Sequence, residues 1–173
     1  MAGKKIVLVV ASNGYQNVEY GDTRRELEKT GFSVLTASDK SGQAVAADKS
    51  TTKIDVQLSL LKTSDFDAIF FIGGAGALFC LDNPISYQIL TSAATNKKVF
   101  GAICISSRIL AKSGVLKGRK ATGWDGDQKL AGILKEYGVI YEKKDVVVDG
   151  NIVTATGPAV SSDFAKAIIS VMK

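Results

Sequence analysis

The chain contains no histidine. Ser-His and Cys-His catalysis cannot be assembled from it, and self-association adds none, because every copy lacks the residue. Zinc sites built on histidine are excluded too. The two cysteines, Cys80 and Cys104, cannot supply a four-cysteine metal site. Nor do they form the disulfide framework that staples small secreted domains. No metal and no cofactor is expected. No apolar run reaches the roughly 20 residues of a membrane span, so no membrane partner is expected. Met1-Ala2-Gly3-Lys4-Lys5 runs straight into a strand pattern, without the apolar region of a secretory signal. These features predict a cytoplasmic protein.

Charge points to no polymeric partner. The net charge is +5, but the basic residues come as scattered pairs such as Lys4-Lys5, Arg24-Arg25 and Lys143-Lys144. None interleaves with aromatics. They read as solvated rims of strands and helices, and no nucleic-acid partner is expected. With 46% hydrophobic and 23% charged residues over 173 positions, the chain reads as one globular domain, residues 1–173. That length buries a core without disulfides or metals.

Strand and helix patterns alternate along it. Ile6 to Ala11 is a continuous apolar run, read as a central parallel strand. Ser12-Asn13-Gly14 breaks it, and a helix is predicted from about Val18 to Lys29. Phe32 to Ala37 is a second strand. The polar stretch Ser38 to Thr52 reads as a loop or a small excursion outside the sheet, with short strands near Ala44–Val45 and Lys53–Val56. Leu58 to Leu61 reads as a turn of helix. Asp67 to Ile72 is the third main strand, and Pro84 to Thr95 a helix with proline in its first turn. A short strand is predicted at Lys120–Thr122 and a helix at Asp127 to Tyr137. Asp149-Gly150 between β-branched runs signals a hairpin. Ser161 or Ser162 caps a last helix ending at Met172. This alternation predicts a doubly wound α/β sandwich with a mostly parallel central sheet. Ligands in such sheets bind at the carboxyl ends of strands, near the point where strand order reverses.

The chemistry centres on Val99 to Leu110. Val99 to Ile103 reads as a buried strand, and helical spacing resumes at Ser107. Cys104 therefore stands at a sharp strand-to-helix turn, the geometry of a nucleophile elbow. A helix N-terminus behind it favours thiolate over thiol. A small buried hydrophobe at a strand end is the competing reading. Gly73-Gly74 follows the third strand. Its tight turn is either a plain strand exit or a close approach of the Gly74 N–H, which with the N–H of Ile105 would make an oxyanion hole. Glu19 opens the first helix, as a macrodipole partner or as a desolvated acid–base group. Trp124 and Asp125 are candidates to line a substrate. Asp125 and Asp127 either orient a polar ligand or cap the following helix. Cys80 is a candidate resolving thiol or a buried inert cysteine.

These pieces resemble the ThiJ/PfpI superfamily. The residues that carry the resemblance are IVLVV, Val18-Glu19, Ala47-Asp48-Lys49, DAIFFIGG, GAIC, ILAKSGVLKGRKAT and DGNIVTATGPAVSSDFA, in order along nearly the whole chain. The resemblance implies a flavodoxin-like sandwich, a reactive Cys104 hydrogen-bonded by Glu19, backbone donors at Gly74 and Ile105, and a homodimer. The chain departs from the pattern where many members carry histidine. Ile105 directly follows the cysteine, and Gly123-Trp124 follows the RKAT strand. What remains is a Cys–Glu dyad. It implies glyoxalase- or deglycase-like action on a small reactive carbonyl. The alternatives are a redox sensor whose partner is an oxidant, a PfpI-type hydrolase or isocyanide-hydratase-like enzyme, and a member that only binds.

Overall fold

The computed structural model describes residues 3–173. Strand β1 (Lys5–Val10) leads through a short strand β2 (Asn13–Tyr15) into helix α1 (Asn17–Lys29). Then come β3 (Ser33–Ser38), β4 (Gln43–Ala46), β5 (Thr51–Lys53) and β6 (Val56–Gln57). Two 3-10 turns precede β7 (Ala68–Phe71), which is followed by α2 (Ala77–Cys80) and α3 (Pro84–Thr95). Strand β8 (Val99–Ile103) passes through a 3-10 turn at Cys104–Ser106 into α4 (Ser107–Ser113). The chain ends with β9 (Lys120–Ala121), α5 (Leu130–Glu136), β10 (Ile140–Tyr141), β11 (Val146–Asp149), β12 (Ile152–Ala155) and α6 (Ser161–Met172).

The main sheet has the order β11-β12-β8-β7-β1-β3-β6. Only β11 runs antiparallel, in the hairpin that Asp149-Gly150 closes. The fold is the expected flavodoxin-like α/β sandwich. From β1 the chain steps one way to β3, and from β7 the opposite way to β8. Right-handed crossovers then place α1 and α3 on opposite faces. Accordingly α1 packs with α6, and α3 packs with α4. The sheet centre is apolar on both sides, as the continuous run from Ile6 to Val10 requires, and all five of its side chains are fully buried. The reversal of strand order falls between β1 and β7, so the crevice opens at their carboxyl ends. Among the described residues no helix is long and apolar enough to cross a membrane.

Some boundaries differ from the sequence reading. The polar excursion is real, but its third member is β2, within the stretch read as a break. Asn13 and Tyr15 of β2 pair with β4 across an irregularity at Gly14, and β5 completes this small sheet. Helix α5 begins at Leu130, not at Asp127. Gln128 has φ +58°, which no helix tolerates. The Asp125 and Asp127 carboxylates accept the N–H groups of Leu130 and Lys129 at 2.9 and 3.1 Å, which is the capping role. At α6 the Ser161 side chain does not cap. Its hydroxyl lies 2.7 Å from an Asp22 carboxylate oxygen and 2.9 Å from the Pro158 carbonyl, tying α6 to α1.

Candidate active site

Three loops converge at the crevice. After β1, Gln16 caps α1 by accepting the Val18 N–H at 2.7 Å, which fixes the first turn of the helix. Val18 points outward and Tyr20 is buried, and between them Glu19 is wholly inaccessible to solvent. The Gln16 N–H also donates to the Gly73 carbonyl at 2.9 Å, tying this turn to the end of β7.

After β8, Cys104 adopts φ +63°. This left-handed conformation costs an L-residue about 1–2 kcal/mol, and such strain at a strand-to-helix junction is the mark of a nucleophile elbow. The Ser106 hydroxyl donates to the Ile72 carbonyl at 2.7 Å and pins the elbow to β7. The Trp124 N–H donates to the Cys104 carbonyl at 3.0 Å from the other side.

After β7, Gly73-Gly74 fits where no side chain can. A Cβ on Gly73 would lie 2.5 Å from Cys104 Cβ and 2.7 Å from Glu19 Oε1. Gly74 has φ +116°, and a Cβ there would meet the Gly14 carbonyl oxygen at 2.4 Å. The Gly74 turn thus brings its N–H, together with that of Ile105, onto the Cys104 sulfur.

Burial dominates the electrostatics. It pushes the Glu19 carboxyl up to about 8, while interaction with the Cys104 side chain pulls the other way. Neither Glu19 oxygen has a hydrogen-bond partner of good geometry, so carboxyl and sulfur are neighbours without a well-formed bond. Burial also pushes the Cys104 thiol up to about 12, and the Glu19 charge adds to the rise. The N–H groups of Ile105 and Gly74 pull it down. This direction corrects the expectation of a thiol ionised more readily than usual. The helix behind the elbow has only seven residues, and desolvation outweighs its dipole.

The sulfur opens into a cavity of about 310 Å³, walled by Gln16, Gly74, Ala75, Ile105, Trp124 and Pro158. None of these side chains is charged. Trp124 therefore lines the cavity as expected. Asp125 does not; it lines an adjoining cavity on the far side of Trp124. Cys80 lies elsewhere. Its sulfur is 3.9 Å from Ser12 Oγ and from the Asn13 carbonyl, beside a separate cavity with Asp39 and Asn83. Both cysteines are free. Two contributors went unread in the sequence, Gly73 as the spacer between sulfur and carboxyl, and Arg108 behind Trp124. Gly73 carried a signal, since it directly precedes the glycine that was read as a backbone donor.

A doubly wound sandwich with a strained cysteine at the carboxyl end of the strand next to the reversal defines a class of elbow proteins with a cysteine in place of serine. Within that class, the chain belongs to the DJ-1/PfpI family, which it matches over residues 4–171. It is 32% identical to an uncharacterized protein of Methanocaldococcus jannaschii, covering 96% of this chain and 79% of that one. It is 27% identical to a deglycase of Pyrococcus furiosus, covering 96% and 99%. The crystal structure of a ThiJ/PfpI domain protein from Brachyspira murdochii superposes with a TM-score of 0.92 at 27% identity, covering 99% and 98%. The family relationship supports a general catalytic role.

Proposed function

We propose that the protein is an enzyme acting on small, uncharged reactive carbonyls of the α-oxoaldehyde class, such as methylglyoxal, through Cys104 and Glu19. One observation carries this reading. A wholly buried carboxyl without a hydrogen-bond partner faces a cysteine whose sulfur receives two backbone N–H groups. The uncharged cavity over the sulfur suits a compact neutral electrophile better than a peptide chain. The similarity to a deglycase points the same way.

The pair works as a unit. At neutral pH it mostly holds both protons, because burial raises both groups, and the reactive form arises when one of them leaves. The remaining negative charge is best held on sulfur, which has two N–H donors where the carboxylate has none. Glu19 keeps its proton. The thiolate adds to the aldehyde carbon, forming a C–S bond, and the carbonyl oxygen takes the Glu19 proton. The Gly74 and Ile105 N–H groups hold the developing alkoxide. The Glu19 carboxylate then removes the hydrogen on C1, giving an enediolate, and returns it to C2, while the C1 hydroxyl proton passes to the C2 oxygen. C1 is oxidised and C2 reduced, so no external redox partner is needed. Water cleaves the resulting thioester, releasing a 2-hydroxy acid and the free thiol.

Purified protein incubated with methylglyoxal is expected to produce lactate, and Cys104→Ala to abolish it. Equal rates for the two would end this reading. A wild-type protein that makes no lactate while Cys104 still reacts with alkylating agents would favour the oxidant-sensing alternative, which uses the same sulfur.

A further inference from the structure

Trp124 is the one residue common to the Cys104 cavity and to the adjoining cavity of about 380 Å³. The two cavities differ in chemistry. The first is uncharged, and the second presents Asp125, Tyr141, Lys143, Lys144 and Asp145. Trp124 therefore stands between the two cavities.

The indole is held from both sides. Arg108 stands four residues beyond Cys104, with only 10% of its side chain exposed. Its guanidinium carbon lies 5.4 Å from the centre of the Trp124 ring. The Arg108 fork donates to both Asp127 carboxylate oxygens, at 2.7 and 3.0 Å, and Nη2 also donates to the Trp124 carbonyl at 3.3 Å. Against the ring lies the backbone of Gly126, where a Cβ would come within 2.5 Å of Trp124 Cζ2. Stacking and bidentate pairing both need the planar fork, which lysine does not have. The network spans Cys104, Arg108, Trp124 and Asp127 within a single local unit, because the Trp124 N–H binds the Cys104 carbonyl.

We propose that Arg108 is a positioning residue that sets the substrate size limit of the Cys104 cavity, by clamping the Trp124 indole between itself and Gly126. With the clamp closed, the site admits compact neutral carbonyls and excludes electrophiles with bulky or charged tails. With it released, the two cavities join, and the lysines and aspartates beyond become available to such tails. This deepens the proposed function, in that it takes the Cys104 cavity as the substrate site.

The test uses two maleimides with one chemistry and different bulk, N-methylmaleimide and N-phenylmaleimide. Their rates of addition to Cys104 are followed by mass spectrometry of the Cys104 peptide, which excludes any contribution from Cys80. Trp124 is the only tryptophan in the chain, so its fluorescence reports on this indole alone. In Arg108→Lys and in Asp127→Asn, the ratio of phenyl to methyl rate is expected to rise about tenfold, the size of a one-group steric discrimination. Acrylamide quenching of Trp124 should rise in parallel. Trp124→Ala should raise the ratio at least as far, and adding Arg108→Lys to it should raise it no further. If Arg108→Lys does not fold, Asp127→Asn decides, because it leaves the arginine in place. An unchanged ratio with unchanged quenching would overturn the proposal, as would full additivity in the double variant. The maleimide ratio is independent of turnover, so failure to convert methylglyoxal would end the proposed reaction without deciding this inference.

Discussion

Glu19 and Cys104 meet over the bare Cα of Gly73. A methyl group on that carbon would lie 2.5 Å from Cys104 Cβ and 2.7 Å from Glu19 Oε1. The elbow carries the sulfur and α1 carries the carboxyl, and the end of β7 leaves just enough room for the two to face each other. The proposed chemistry depends on this gap.

Gly73→Ala is therefore expected to separate the pair. The neighbours are an elbow fixed by Ser106 and a helix turn fixed by Gln16, so neither gives way cheaply. Overpacking of this kind costs about 2 kcal/mol. Denaturant unfolding should show that loss, and lactate formation from methylglyoxal should fall to the level of Cys104→Ala.

Burial of Glu19 makes stability depend on pH. The folded state binds this proton more tightly than the unfolded chain, with the carboxyl raised from 4.5 to about 8. Its contribution is fully present below pH 4.5 and is lost as pH rises through about 8. The loss is at most about 5 kcal/mol for a shift of this size. Thermal melts of the wild type should fall across this window. Glu19→Gln, which does not titrate, should flatten the profile there.

Asp127 offers a contrast at the surface. Its hydrogen bonds with the Arg108 guanidinium hold its carboxyl down to about 2. The indole clamp should therefore stay charged through the whole pH range in which Glu19 titrates. Trp124 fluorescence should change little between pH 5 and about 9, even as Cys104 reactivity rises. A fluorescence transition that tracks the reactivity would mean that the clamp and the dyad titrate together.

Local pattern revealed much of the fold. The Ile6–Val10 run, the Pro84–Thr95 helix and the Asp149-Gly150 hairpin were legible because each carries its own signal in apolar run length, proline placement or turn chemistry. The elbow was legible for the same reason, since a strand runs into a helix with no loop between. What stayed hidden depends on distant partners. Strand β2 has three residues and exists by pairing with β4. The start of α5 was hidden by Asp127, whose carboxylate answers to Arg108 as well as to the next turn. The protonation of the pair was misread at Cys104 because a helix N-terminus is visible in sequence, while the burial that outweighs it is a property of the packed crevice.

The central claim is that Glu19 stabilises a sulfur anion by keeping a proton beside it. The pH dependence of Cys104 alkylation in wild type and in Glu19→Gln tests this most directly. The wild-type midpoint should lie above that of a free thiol, because burial raises it. In Glu19→Gln the midpoint should move up by about one unit or more, because an amide is a weaker donor to sulfur than a carboxylic acid. A midpoint that moves down on this substitution would show that Glu19 acts only as a repelling charge, and would contradict the account.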